Sequence, residues 1–171
     1  MIKHTYPSIG FSELIGECDS FLQTKNRAIQ FAASSHPILI HGETGTGKEL
    51  FAKAIHSGSS FNHDPFTHVS CSTLNEDEAT EDFFLSEMNE SGTLFLDEVW
   101  GLSLPLQGKL LAAIEKGMPK RLIVTSSVPL GERIESREFR KDLYYRLNVL
   151  DLPLPPLLNG EATSPFSCII F

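Results

Sequence analysis

The sequence predicts an α/β fold, a three-layer αβα sandwich with a parallel sheet in the middle. Short apolar runs that suit buried strands alternate with longer segments whose apolar residues recur at helical spacing. The first of these runs leads through a glycine-rich turn into a helical segment, and a later run ends in two carboxylates. Alternating strands and helices favour parallel strands joined by crossover helices, which cover both faces of the sheet. A ligand is then expected at the carboxyl ends of the strands.

The composition is that of an acidic globular domain. The chain has 171 residues with a net charge of −8, 41% hydrophobic residues and 21% charged residues, which suffices for one domain with a hydrophobic core. The negative charge argues against non-specific nucleic-acid binding, so we predict no direct DNA contact. No apolar run approaches the roughly 20 residues that a membrane span requires, and residues 1–7 lack an apolar signal core. The sequence therefore predicts a cytoplasmic protein that does not bind a membrane.

Each predicted element has a local reason. The first helix ends before Pro37, because proline disfavours helical geometry in the residue that precedes it. A later helix begins near Pro105, which the first turn tolerates, and ends at Gly117, a residue type that often follows a helix. The predicted helices carry their apolar faces over residues 21–32, 49–56 and 102–117, and the predicted strands are residues 38–40, 66–71, 91–99, 121–127 and the start of 150–158.

Residues 42–48 form the glycine-rich turn and match the phosphate-loop pattern G-x-x-x-x-G-K. Glycines allow the backbone to turn its N–H groups towards a polyphosphate, and the following helix adds its own free N–H groups. Lys48 can then reach the outer phosphates, whereas Glu49 stands where a Ser or Thr normally binds magnesium. A glycine-rich turn without a ligand is the alternative interpretation. The predicted nucleotide-binding residues here are Gly42, Glu43, Thr44, Gly45, Thr46, Gly47, Lys48 and Glu49.

Asp97 and Glu98 lie at the end of an apolar run, which is the pattern of the second nucleotide-handling motif, the Walker B motif. Asp97 is expected to hold Mg²⁺, because hard cations prefer oxygen ligands. Glu98 is expected to orient or deprotonate the attacking water, and it is also a candidate metal ligand. A surface Asp-Glu pair at the end of a strand is the alternative. Together with the upstream phosphate loop, the pair predicts a site for ATP and Mg²⁺.

Two strings resemble one family, the AAA+ ATPase domains of sigma-54 activators, which are NtrC-like bacterial enhancer-binding proteins. They are residues 42–49, in which Glu follows the lysine as it commonly does in that family, and residues 139–149, which read FRKDLYYRLNV. The resemblance covers about residues 11–158. It implies an AAA+ core over residues 1–158, and we expect residues 159–171 to be a disordered tail. It also implies ATP hydrolysis, transcription regulation and association with further copies in a ring or with related AAA+ regulators.

The resemblance implies roles for residues outside these two strings. Ile15 and Gly16 match the segment that lines the adenine pocket. Arg140 and Arg146 match arginine fingers, which stabilise charge on a nucleotide bound by a neighbouring subunit. The alternative for both arginines is a basic helix face with structural ion pairs, such as Asp142 with Arg146 at i, i+4.

Two serines stand where the family has asparagines. Ser127 occupies the place of an Asn that senses the terminal phosphate, and its hydroxyl can still form a hydrogen bond. It is therefore a candidate nucleotide contact. Ser70 occupies the place of an Asn that is thought to hold the catalytic glutamate until the nucleotide is in place. A serine side chain reaches less far than an asparagine.

The sequence also departs from the family in two larger features. It contains no Gly-Ala-Phe-Thr-Gly-Ala string, which forms the loop that grips the sigma factor, and the match stops before the helical lid domain. The missing string argues against a sigma-54 contact, whereas the missing lid, together with Ser70 and Ser127, argues against ATP hydrolysis. Two functions stay open: an ATP-binding regulator domain with weak or assembly-dependent hydrolysis, and a non-hydrolysing nucleotide-binding regulatory module that cannot remodel sigma-54 RNA polymerase. A small-molecule kinase is a further alternative, which residues 139–149 disfavour.

Overall fold

A five-stranded parallel sheet forms the centre of the computed structural model, which describes residues 9–74, 78–118 and 120–156. The strand order is β2-β3-β4-β1-β5, and all four pairings are parallel. This architecture confirms the predicted fold class. The strands are β1 Ile38–His41, β2 Phe66–Ser70, β3 Gly92–Asp97, β4 Lys120–Ser126 and β5 Leu150–Pro153.

Helices connect the strands and begin close to the residues that the sequence indicates. The second helix starts directly after the glycine-rich turn, and the fourth has its proline in the first turn. The acidic residues of the run 75–82 suit the start of a helix, in agreement with α3, whereas the short helix α5 had no sequence prediction. The helices are α1 Asp19–Ala32, α2 Lys48–Ser57, α3 Glu78–Asn89, α4 Leu104–Glu115, α5 Leu130–Glu135 and α6 Lys141–Leu147, and short 3-10 turns span Phe11–Glu13, Cys71–Thr73 and Val99–Gly101.

Two apolar clusters lie on opposite faces of the sheet. One face of β3 and β4 packs Leu94, Leu96 and Val124 with residues of α3, α4 and α6. The other face packs Phe95 and Ile123 with residues of α1 and α2. Successive strand residues therefore enter different clusters, as the period of two requires, and both faces are buried as in other parallel sheets. None of the described helices is long and apolar enough to cross a membrane.

A buried arginine on β4 joins two helices to the sheet. Arg121 donates hydrogen bonds to the carbonyl oxygens of Phe31 (2.6 Å) and Ile55 (3.5 Å), in the last turns of α1 and α2. Helix C-termini leave carbonyl groups without intrahelical partners and carry partial negative charge, so a cation is favourable there. Burial lowers the pKa of Arg121 to about 10. Arg121 thus fixes the ends of α1 and α2 that lie far from the glycine-rich turn.

The carboxyl ends of the central strands bring the predicted motifs together. Because β1 lies between β4 and β5, the turn that follows it passes between the ends of both neighbours. Asp97 ends β3, and Ser127 follows β4 directly. The sequence prediction of a domain boundary at residue 158, with a tail over 159–171, falls outside the described residues.

Candidate nucleotide-binding site

The glycine-rich turn forms a compact loop between β1 and α2. The N–H of Gly42 donates to the carbonyl oxygen of Ser126 at 3.3 Å, and a Cβ at Gly42 would lie 3.0 Å from the Leu154 carbonyl oxygen. Gly45 and Gly47 have φ angles of 87° and 85°, which favour glycine. Gly47 caps α2, so the loop leads directly into the free N–H groups of a helix start. This is the backbone geometry that binds anions.

The remaining loop residues differ in burial. Thr46 is buried, and its Oγ1 donates to the Glu43 carbonyl oxygen at 2.8 Å, which closes the turn. The side chains of Glu43 and Thr44 are exposed. We therefore expect Glu43 and Thr44 to contact a nucleotide through their backbone N–H groups, and these roles stay predictions.

Lys48 is a buried cation beneath the loop. Its side chain is 7% exposed, and its Nζ donates to the carbonyl oxygens of Gly42 (2.9 Å) and Glu43 (3.1 Å). The same Nζ lies 3.4 Å from Oε1 of Glu98. Buried charges require charged or strongly polar partners. The two predicted motifs are thus in direct contact, with the ammonium group between the loop and the carboxylate.

Asp97 and Glu49 stand on either side of His68. Thr125 Oγ1 donates to Oδ1 of Asp97 at 2.6 Å, while His68 Nε2 lies 3.9 Å from Oδ2. The other ring nitrogen of His68 lies 4.0 Å from Oε1 of Glu49, which pairs with Lys53 Nζ at 2.7 Å. Carboxylate oxygens near a phosphate loop suit Mg²⁺, which keeps several waters and uses one or two carboxylates together with substrate phosphates. Within the described ranges, no cluster of three or more His, Cys, Asp and Glu forms a complete metal cage, and such Mg²⁺ binding requires none.

Glu98 has an unusual backbone and a densely contacted carboxylate. Its φ of 56° and ψ of 59° are left-handed, and its N–H donates to Thr125 Oγ1 at 2.9 Å. Its Oε2 accepts hydrogen bonds from Trp100 Nε1 (2.5 Å), the Ser127 N–H (2.7 Å) and the Ser127 hydroxyl (2.8 Å). Burial acts to raise the pKa of Glu98, but the hydrogen bonds from Ser127 and Trp100 and the charge of Lys48 outweigh it, so the pKa lies below its ordinary value. The group is therefore ionised at neutral pH.

Trp100 is the contact that sequence reasoning missed. In the expected arrangement the residue at position 70 would hold the glutamate, but the Ser70 hydroxyl lies 3.3 Å from the Ser72 hydroxyl. Trp100 and Ser127 hold Glu98 instead. The signal in the sequence that could have indicated this contact is the position of the single tryptophan, two residues after the Asp-Glu pair.

The segment that contains Ile15 and Gly16 lies before α1. Ile15 is 56% exposed, which is unusual for an isoleucine in a folded domain. A Cβ at Gly16 would lie 2.5 Å from the Phe21 ring, so the chain passes too close to α1 for any larger residue. Lys25 Nζ donates to the Leu14 carbonyl oxygen at 2.9 Å and fixes the segment. The adenine contacts of Ile15 and Gly16 stay predictions.

Arg140 and Arg146 lie on the exposed side of α6. Arg140 forms a two-point contact with Asp142, with Nε to Oδ1 at 3.0 Å and a terminal nitrogen to Oδ2 at 2.7 Å. Arg146 lies 3.6 Å from Glu115. Both arginines thus form ion pairs, as the alternative interpretation has it, but its example of Asp142 with Arg146 is wrong, because Asp142 pairs with Arg140 at the helix start. The two arginine side chains are 42% and 58% exposed and are accessible to a second molecule.

A buried glutamine fixes the backbone of Arg140. Gln107 Nε2 donates to the carbonyl oxygens of Leu102 (2.7 Å) and Glu138 (3.0 Å), and its Oε1 accepts the Arg140 N–H at 2.9 Å. Gln107 is fully buried, so its bond to Leu102 is shielded from water and the other two bonds are partly shielded. They tie the segment after the Asp-Glu pair to the segment that carries Arg140.

The comparisons with known proteins agree on one family. The family model of the sigma-54 interaction domain matches residues 15–157. YplP of Bacillus subtilis (strain 168), assigned as a sigma L-dependent transcriptional regulator, is 40% identical over 162 residues, which cover 91% of this chain and 48% of the relative. The anaerobic nitric oxide reductase transcription regulator NorR of Klebsiella pneumoniae (strain 342) is 36% identical over 177 residues, covering 87% of this chain and 34% of the relative. The chain thus spans about half or less of the length of these relatives.

Solved structures show the same fold. NtrX from Brucella abortus in complex with ADP superposes with a TM-score of 0.78 at 29% identity, over 84% of this chain and 38% of that one. The NtrX complex with ATP gives a TM-score of 0.75 at 30% identity, over 85% and 39% of the two chains. The P-loop NTPase domain of the sigma-54 transport activator from E. coli gives 0.67 at 23% identity, over 84% of this chain and all of that one, which supports the fold alone.

Proposed function

The chain belongs to the sigma-54 interaction family, the AAA+ domains of sigma-54-activator-like transcription regulators, and we propose that it binds ATP or ADP with Mg²⁺ at the loop of residues 42–48. The observation that carries this proposal is the buried Lys48 ammonium between the glycine-rich loop and the Glu98 carboxylate. A buried ammonium group beside the free N–H groups of a helix start provides the positive charge and the hydrogen-bond donors that a polyphosphate requires. NtrX, a structural relative, has been solved with both ADP and ATP.

Each residue of the site receives a role from its position. The loop N–H groups and Lys48 bind the phosphates, and Ser127 contacts the terminal phosphate. Asp97 holds Mg²⁺ directly or through water, with Thr125 fixing its orientation. Bound Mg²⁺ would neutralise charge on the phosphate oxygens. Glu98 is ionised and orients the attacking water, while Ile15 and Gly16 border the adenine.

Hydrolysis is proposed to depend on assembly. The exposed Arg140 and Arg146 side chains are suited to reach a nucleotide bound by a second copy or by a related AAA+ regulator. Such a site is incomplete in one molecule, so turnover by isolated copies is expected to be weak. Association of this kind would take place in the cytoplasm, where transcription regulators act.

A second candidate is a non-hydrolysing regulatory module. The sequence has no Gly-Ala-Phe-Thr-Gly-Ala string and carries Ser70 and Ser127 where the family has asparagines. Such a module would bind nucleotide and associate with related regulators without remodelling sigma-54 RNA polymerase. Turnover that stays at background at every protein concentration, with nucleotide binding intact, would favour this second candidate.

Titration with a fluorescent ATP analogue tests the binding proposal. We expect Lys48→Ala to weaken binding by about 10- to 100-fold, because removing a charged hydrogen-bond partner of this kind costs about 1.5–3 kcal/mol. Lys116→Ala, which removes an exposed lysine at the end of α4, is the matched control and should bind as the unaltered chain does. Equal affinities for the unaltered chain and Lys48→Ala would contradict the site.

A capture experiment tests the sigma-54 contact. We expect the chain, loaded with an ATP transition-state mimic, not to retain sigma-54, since the string that grips the factor is not in its sequence. YplP, a relative assigned as dependent on sigma L, provides a comparison protein. Stable, nucleotide-dependent capture by this chain would overturn the expectation.

A further inference from the structure

The Glu98 carboxylate contacts two groups that the proposed function assigns to the nucleotide: Lys48, which binds the phosphates, and Ser127, which contacts the terminal phosphate. Lys48 Nζ lies 3.4 Å from its Oε1, and the N–H and hydroxyl of Ser127 donate to its Oε2 at 2.7 and 2.8 Å. A phosphate needs these same donors. It also carries negative charge, which repels a carboxylate in the same place. Glu98 and a terminal phosphate therefore compete for Lys48 and Ser127.

Trp100 is the donor to Glu98 that has no expected contact with nucleotide. Its Nε1 donates to the same Oε2 at 2.5 Å. The 3-10 turn that carries it is closed by the Gly101 N–H, which donates to the Glu98 carbonyl oxygen at 2.8 Å. The indole and the carboxylate are thus held on one short turn.

The indole is also held on its face. The Arg133 guanidinium lies 4.9 Å from the centre of the Trp100 ring, within the range of a cation–π contact. Arg133 in turn pairs with Glu138. Arg133 of α5 contacts the face of the indole and Glu98 contacts its edge. Trp100 is therefore restrained from moving with the carboxylate if the carboxylate leaves this position.

The backbone of Glu98 adds a second restraint. A glutamate in the left-handed region is strained and persists only where surrounding contacts fix it. The bond from its N–H to Thr125 and the three bonds to its Oε2 supply those contacts. Loss of one donor therefore weakens a conformation that is already unfavourable by itself.

We propose that Trp100 is a positioning residue that sets the discrimination between nucleoside triphosphates and diphosphates, by holding the Glu98 carboxylate against Lys48 and Ser127. The inference rests on the proposed nucleotide binding. A triphosphate must displace the carboxylate from both groups, whereas a diphosphate, which has no terminal phosphate to reach Ser127, leaves the contacts of the carboxylate with Ser127 in place. Trp100 therefore weakens triphosphate binding specifically.

Calorimetric titration with Mg²⁺ and either the β,γ-imido analogue of ATP or ADP tests the proposal. Trp100→Phe removes the N–H donor and keeps a smaller aromatic ring that can still face Arg133. We expect it to bind the imido analogue about tenfold more tightly, as loss of one hydrogen bond to a charged group implies, and to bind ADP within about twofold of the unaltered chain. An unchanged ratio of the two affinities, with both nucleotides binding, would overturn the inference.

A second experiment repeats the Trp100→Phe comparison in a chain that carries Glu98→Gln. That substitution removes the charge and should also favour the imido analogue over ADP. Because Trp100 acts through Glu98, Trp100→Phe should change the ratio much less in the Glu98→Gln chain than in the unaltered one. An equal effect in both backgrounds would mean that Trp100 does not act through Glu98. If neither nucleotide bound any of these chains, the proposed function itself would fail.

Fluorescence gives a second measurement that needs no change at Trp100. Trp100 is the single tryptophan, so its emission reports the contact with Glu98. We expect the imido analogue, but not ADP, to change the emission of the unaltered chain. In Glu98→Ala the free protein should already show the changed emission. An emission that responds equally to both nucleotides would overturn the inference, and this measurement decides if Trp100→Phe does not fold.

Discussion

The phosphate-loop side and the arginine side of the candidate site are built differently. Lys48 and Glu98 are largely buried and contact each other within one molecule. Arg140 and Arg146 are exposed, and their acidic partners Asp142 and Glu115 are exposed as well. Exposed ion pairs contribute little to stability and are readily exchanged for other partners. Under the proposed function, the loop side therefore needs only a single chain, whereas the arginine side needs a second molecule.

The largest expected effect separates the two sides through Arg140. Arg140→Ala should reduce ATP turnover by about 10³-fold, the lower end of what an arginine finger contributes, and leave ATP binding unchanged. Mixing Arg140→Ala with Lys48→Ala should restore part of the turnover, because one copy then supplies an intact loop and the other an intact arginine. Arg137→Ala, an exposed control, should retain full turnover. Mixtures no more active than either variant alone would show that Arg140 does not act between molecules.

A somewhat smaller effect is expected at Glu98. Glu98→Gln keeps the shape of the side chain but cannot accept a proton, so turnover should fall by about 10²-fold or more, as for loss of a general base. Unlike Arg140→Ala, it should not be rescued by mixing with Lys48→Ala, since both changes affect the same loop side. Glu135→Gln, exposed on α5, is the control. Rescue of Glu98→Gln in that mixture would remove the distinction between the two sides.

Gln107 links the two sides, and its loss should affect stability. Gln107→Leu leaves the buried Leu102 carbonyl group without its partner, and also the partly buried Glu138 carbonyl and Arg140 N–H groups. We expect the free energy of unfolding to fall by about 2–3 kcal/mol, since unsatisfied buried groups cost about 1–3 kcal/mol each and partial relaxation is usual. Urea unfolding measures it, with the exposed Gln30→Leu as control. A loss no greater than that of the control would show that the link is not structural.

The smallest expected effect is the pH dependence that arises from Glu98. Its pKa is lowered in the folded protein, so its ionised form stabilises the fold above the ordinary pKa of a glutamate, about 4.3. That contribution is lost as the pH falls through the lowered value in the folded state. The unaltered chain should therefore lose stability between pH 6 and pH 3 more steeply than Glu98→Gln. Parallel stability curves would contradict the lowered pKa.

The loop side was predictable because its signals are local. The glycines, Lys48 and the Asp-Glu pair follow buried strands directly, and parallel strands bring their carboxyl ends to one edge. The contact of Trp100 with Glu98 depends on the left-handed backbone at residue 98. A glutamate does not indicate this conformation, so the sequence did not predict it. The sequence therefore predicts that the glycines, Lys48 and the Asp-Glu pair lie together at one edge of the sheet, but it does not predict how Glu98 is held.

The arginine side and the packing beneath it were harder to predict. Asp142 could pair with Arg146 by helical spacing, but Arg140 lies at the start of α6 and reaches the same carboxylate from there. The role of Arg121 depends on the meeting of α1, α2 and β4, which are far apart in sequence. Such pairings follow from the tertiary structure, and spacing along the chain does not determine them.

At residue 98, the left-handed backbone favours residue types other than the glutamate that the proposed function requires. Glycine adopts this conformation without strain, and asparagine adopts it more readily than glutamate. In a library selected only for heat resistance, residue 98 should therefore drift towards glycine or asparagine. The same drift would remove the carboxylate, so heat-resistant descendants of this chain should lose the proposed nucleotide turnover unless the selection also required it.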